Sequence, residues 1–172
     1  IDWSYQLLNA TEQRALRGLS VFSGGWTLEA AESVVGADEA LDGLSGLVNK
    51  SLVIVEEQEG KSRYRFLETI RQYAMEKLVE AGEAIATRDR HLDFMLGVME
   101  YSPTRMFGME DLELLDRIES EHDNLRAALE WATENHPATA LKLAYSAGGF
   151  WTIRDYNAEA QFWCSTILGK TE

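Results

Sequence analysis

The chain has 172 residues, 45% of them apolar, with 16 basic and 29 acidic side chains and a formal net charge of −13. That length exceeds one small module and suits two compact units, and the apolar fraction excludes disorder as a global description. Residues 1–81 carry 8 basic and 13 acidic groups and residues 82–172 carry 8 and 16, so neither half has the excess of Lys and Arg that neutralises nucleic-acid phosphates.

Trp3, Leu7 and Leu8 share one helical face before a break at Asn9-Ala10. Thr11 suits the N-cap of the next helix, with Glu12 in its first turn, and Leu16, Leu19 and Phe22 follow. Gly24-Gly25 stops that helix. Thr27 caps another, with Leu28, Ala31, Val34 and Val35 as its stripe and Gly36 as its end. Asp38 caps a third over Glu39 to Asn49, in which Leu41, Leu44, Leu47 and Val48 are expected to face inward. Two strands come next, Leu52 to Glu56 and Ser62 to Leu67, joined by a polar turn carrying Gly60. A fourth helix through Ile70, Tyr73, Ala74 and Leu78 ends near Gly82.

The order helix, helix, helix, hairpin, helix is the plan of a winged helix. In members that bind DNA the third helix enters the major groove. Here its outward residues are Glu39, Asp42, Ser45, Gly46 and Asn49, with Lys50 as the nearby base, and the wing tip from Glu56 to Lys61 is acidic as well. Such a face repels a duplex.

Beyond Ala84 no strand pattern remains. Helices are expected from Ala84 to Tyr101, ended by Ser102-Pro103, and from Glu110 to Asn135, with Leu114, Leu115, Ile118, Leu125, Leu129 and Ala132 on one face. After His136-Pro137, Ala138 to Trp151 and Tyr156 to Leu168 read as an antiparallel pair, with Ala140, Ala144, Ala147 and Trp151 setting its packing. These are the marks of helical repeats of roughly 34 residues. The expected fold is therefore mainly α with a small β-hairpin: a winged-helix domain over 1–81, then an incomplete TPR-like helical array over 82–172.

Little here suggests chemistry. His91, His122 and His136 lie on separate segments and read as surface or cap residues, because a site needs convergent groups. No catalytic or metal-binding residues are expected, and no enzyme. The single cysteine, Cys164, excludes an intramolecular disulfide and a zinc site built on paired cysteines. The absence of a membrane-length apolar run or a signal peptide points to the cytoplasm. Ile1 opens inside a helical pattern, as expected of a piece of a longer protein. Trp131, Trp151 and Trp163 read first as core, while Trp151, Tyr156 and Trp163 together mark a candidate partner surface on the last helical pair.

The strings Ile1 to Tyr5, Leu19 to Glu32, Leu47 to Val53, Tyr64 to Ala74 and Glu121 to Ala132 resemble bacterial regulatory ATPases of the STAND class, among them large LuxR- and SARP-type transcriptional regulators. The resemblance covers nearly the whole chain. It implies an upstream nucleotide-binding domain in the same protein, using ATP or ADP, followed by a winged helix and TPR-like repeats that sense a protein or small-molecule effector. The chain contains no GxxxxGK[ST] loop, so no cofactor is expected in this fragment. A Met-His-Asp motif in related ATPases contacts nucleotide phosphate; the corresponding residues are Phe66, Leu67 and Glu68, and Leu67 cannot donate a hydrogen bond there.

The expectation is a non-catalytic regulatory and interaction segment of a signalling regulator, with oligomerisation left open, no membrane contact, and DNA not expected as a partner of this segment. The alternative is a fragment of a DNA-binding winged-helix transcription factor.

Overall fold

The computed structural model describes residues 2–58, 61–100 and 112–170, the side chains of Gln58 and Lys61 excepted. The chain divides into two compact units, 1–91 and 92–172.

The first unit begins with α1 (Asp2–Gln6) and α2 (Ala10–Leu19). The cap of α2 is Asn9, two residues before the expected Thr11. Glu12 N–H donates to Asn9 Oδ1 at 2.9 Å while Asn9 N–H donates to Glu12 Oε2 at 2.8 Å. This reciprocal pairing satisfies two otherwise orphaned N–H groups, so the helix starts where both can form.

Next come α3 (Leu28–Val35) and α4 (Ala37–Asn49). Thr27 caps α3, accepting from Ala30 N–H at 3.2 Å. The start of α4 differs from expectation: Asp38 lies inside the helix, and Gly36, at φ +93°, precedes it without a side-chain cap. That φ suits a residue without Cβ.

The inner face of α4 is Ala40, Gly43, Leu44 and Leu47, and Leu41 is 60% exposed. This corrects the inward placement of Leu41. The reason is steric: a Cβ on Gly43 would collide with Ala15 Cβ on α2, and one on Gly46 with the Glu12 carboxylate. α2 lies against the glycine face, which rotates Leu41 outward.

Strands β1 (Ile54–Gln58) and β2 (Lys61–Arg65) pair antiparallel, Ile54 with Arg65 through Gln58 with Lys61. On its other edge Tyr64 exchanges two 2.8 Å backbone hydrogen bonds with Trp26. Gly25, at φ +87°, permits that approach, since a Cβ there would meet the Tyr64 carbonyl at 2.7 Å. The wing is thereby stitched to the segment between α2 and α3. Helix α5 (Glu68–Glu80) closes the core through Ile70, Ala74 and Leu78 around fully buried Trp26, Phe22, Leu16 and Leu47.

The first turns of α6 (Ala84–Glu100) belong to this unit. Arg17 on α2 reaches Glu83 through two hydrogen bonds, at 2.9 and 2.8 Å, and Arg90 donates to the Val34 carbonyl at 2.6 Å.

The second unit contains the rest of α6, then α7 (Leu112–Ser120), α8 (His122–Asn135), α9 (Pro137–Ile153) and α10 (Asn157–Leu168). The helix expected over Glu110 to Asn135 is thus broken at Glu121, at φ −97° and ψ 5°, whose buried carboxylate accepts from Asn124 Nδ2 at 2.7 Å. Pro137 opens α9, where its missing N–H costs nothing. The core is one cluster of Met95, Met99, Ile118, Leu125, Leu129, Leu143, Phe150, Trp151 and Ile167 with smaller residues between them. The Ser102-Pro103 break and residues 110–111 of the expected second helix lie outside the described residues.

Among the described residues the molecule is mainly helical with one two-stranded antiparallel hairpin.

Candidate interface of the third helix and the wing

Helix α4 is the third helix of the bundle that carries the wing, the position from which such folds meet DNA. At 100° per residue, Asp38, Leu41, Asp42, Ser45 and Asn49 fall on one stripe, about 16 Å long, and all five are exposed. The stripe holds two carboxylates, one leucine and two neutral polar groups.

The described cations around it are occupied. Lys50, just past the end of α4, places Nζ 2.5 Å from each oxygen of buried Glu12. Arg14 Nε lies 2.5 Å from Glu39, and Arg65 Nε 2.7 Å from Glu56 on the facing strand. Arg63 donates to the carbonyls of Gly24 and Gly25 at 3.3 and 3.2 Å. The outer carboxylates Asp38, Asp42 and Glu57 stand exposed beside them. Burial alone would raise the Glu12 carboxyl, but hydrogen bonds from Lys50 and the Asn9 N–H outweigh it and hold the group below the usual carboxylate range. Lys50 is therefore held by a carboxylate that stays ionised.

Phe66, Leu67 and Glu68 sit where β2 leads into α5. Phe66 is buried with its ring 4.8 Å from that of Trp26. Leu67 is the N-cap residue of α5 and is 48% exposed. Glu68 accepts from Arg71 through both oxygens, at 2.9 and 2.8 Å.

Trp151, Tyr156 and Trp163 share the second unit, but not as one open surface. Trp151 is buried, and Trp163 packs partly buried against the core cluster. Tyr156 donates its hydroxyl to Glu119 at 2.5 Å. The open aromatics of that helical pair are Tyr145 and Phe162.

Two histidines differ from the surface reading. His91 is buried with its ring 4.9 Å from Phe22, and burial pushes its imidazole down to about 4. His122 is buried between Phe150 and Tyr156, with Nε2 3.0 Å from Glu159, which also takes two hydrogen bonds from Arg126. A spacing of 37 residues leaves no local signal for the His122–Glu159 pair. Among the described residues no cluster of three or more His, Cys, Asp or Glu could hold a metal, and no helix is long and apolar enough to cross a membrane.

Residues 8–79 match the family described as a winged helix-turn-helix domain. Over 98% of its length the chain is 41% identical to a Mycobacterium tuberculosis (strain H37Rv) protein named "Putative HTH-type transcriptional regulator", and equally to a Mycobacterium bovis protein of that name. It covers 20% of each, so it spans about a fifth of the curated relatives it matches. Over 53% of its length it is also 41% identical to a Mycobacterium tuberculosis protein named only as uncharacterized, covering 25% of it. No solved structure matches. With three helices, a paired wing and a closing helix in place, residues 8–79 form a winged helix-turn-helix domain.

Proposed function

We propose that this chain is a segment of a DNA-binding transcriptional regulator. The observation that carries the reading is the winged helix-turn-helix over residues 8–79, and the name of relatives similar to the chain from end to end supports it. In its direct form the reading has α4 and the wing meeting the duplex, and the comparisons favour that form over a purely protein-facing role.

A second reading of the same module is favoured by charge. The α4 stripe carries Asp38 and Asp42, and Lys50, Arg14, Arg63 and Arg65 already have carboxylate or carbonyl partners. In this form the winged helix packs against protein within a longer regulator, coupling a STAND-type nucleotide-binding domain, which would bind ATP or ADP, to a TPR-like effector-sensing array. The segment itself would then perform no catalysis, and DNA contact would lie elsewhere in the regulator.

Titrating a mixed-sequence duplex at about 50 mM salt separates the two, because electrostatic binding is strongest there. Association that Asn49→Ala and Lys50→Ala both weaken favours direct contact. Absence of association favours the protein-facing role.

A further inference from the structure

We infer that α4 reads the amino-bearing edges of cytosine and adenine in the major groove, through Asp42 and Asn49. This rests on direct contact between α4 and the duplex, and adds which bases the helix selects. Asp42 and Asn49 lie within about 20° of each other around the helix, on the side opposite buried Gly43, Leu44 and Leu47. Both side chains are exposed, and among the described residues neither makes a hydrogen bond or ion pair. Their polar groups are thus open to an approaching ligand.

Donor and acceptor chemistry selects the bases. In the major groove cytosine presents its N4 amino donor, adenine an N6 donor beside the N7 acceptor, guanine two acceptors, and thymine an acceptor and a methyl group. A carboxylate only accepts. Asp42 therefore gains a hydrogen bond from cytosine and is repelled by guanine and by thymine O4, while at adenine the N7 lone pair stands beside the donor it would use. The Asn49 amide both donates and accepts, so it fits N6 and N7 of adenine together. Seven residues of helix separate the two side chains by about 10 Å, the length of about three base steps. The phosphate backbone repels Asp42 at every sequence, and a cytosine amino group offsets that repulsion only at a matching base pair. Asp42 thus lowers affinity for all duplexes and lowers it least for the matching one, which is discrimination by rejection.

Selection by the 172-residue chain from a pool of random-sequence duplexes at about 50 mM salt, followed by sequencing of the bound fraction, tests this. The expected result is enrichment of a C·G pair about three base pairs from an A·T pair, each preferred by roughly tenfold over the alternative pair. Asp42→Asn should move the C·G preference to A·T, and Asn49→Ala should erase the A·T preference while C·G enrichment persists. Asp42→Ala, which favours helix, serves if Asp42→Asn fails to fold, and it should erase the C·G preference. Bound duplexes without base preference overturn the inference while leaving DNA contact in place. An A·T pair in the wild-type selection at the position that the Asp42 variants alter, or preferences unchanged in the folded variants, overturns it too. No association with any duplex overturns it together with direct contact.

Discussion

His91 shows how one side chain links folding to pH. Its ring lies edge-on to Phe22, and Nε2 has no hydrogen-bond partner among the described residues. The folded-state value of about 4 lies below the ordinary histidine value of 6.5. The unfolded chain therefore binds the proton more readily, and stability is lost as pH falls from 6.5 toward 4. From pH 7 to pH 5 this one group removes about 2 kcal/mol. His91→Phe keeps the ring contact and should flatten that dependence, as measured by urea unfolding at the two pH values. An equal loss in wild type and variant would contradict the assignment. Glu12 acts lower on the scale: its stability contribution is present above the usual carboxylate range and fades as pH falls through its depressed folded value. The sequence places Glu12 in the first turn of a helix, where it suits the dipole. It does not reveal that the same carboxylate closes a capping box and holds Lys50 across 38 residues.

At the scale of elements, α4 depends on its glycines. A Cβ at position 43 meets the short, rigid Ala15 side chain, which cannot swing away. Gly43→Ala should raise helix propensity by roughly 1 kcal/mol, but overpacking costs about 1–3 kcal/mol. The net expectation in urea unfolding is destabilisation, whereas Ser45→Ala on the exposed stripe should be close to neutral. A stabilised Gly43→Ala variant would show that α2 and α4 are not in close contact. This contact also explains what pattern reading could and could not reach. Helix order, the hairpin and the buried positions Leu44, Leu47, Ile70 and Leu78 follow from periodicity and turn residues. Leu41 does not, because hydropathy cannot tell which of two candidate faces a neighbouring helix selects when glycines make one of them shorter. The Trp26–Tyr64 pairing was equally hidden, since a single bridge has no alternation to read. The break at Glu121 depends on a buried carboxylate–amide bond in an otherwise helical sequence.

For the whole molecule, the decisive property is where charge is free. Formal counting from the sequence already excludes a basic domain; the structure adds that Arg14, Lys50, Arg63 and Arg65, beside α4 and in the wing, have partners close at hand. Exposed ion pairs such as Arg14–Glu39 and Arg65–Glu56 contribute only about 0–1 kcal/mol each and could open toward a phosphate. Opening them would leave Glu39 and Glu56 beside the DNA, next to Asp38 and Asp42. Replacing those two aspartates with lysine changes the stripe by four charge units. Asp38→Lys/Asp42→Lys should therefore strengthen duplex binding and steepen its salt dependence, as read by fluorescence anisotropy. If the double variant binds no better than wild type, the acidic stripe is not what limits contact.

The most direct test of this account is the salt dependence of the unmodified chain on a mixed-sequence duplex, from about 50 mM to about 200 mM salt. The account predicts salt-sensitive association, with the described Arg and Lys beside α4 and in the wing exchanging their carboxylate and carbonyl partners for phosphates. No association even at about 50 mM salt would contradict direct contact and leave the winged helix-turn-helix to a protein-facing role within a longer regulator.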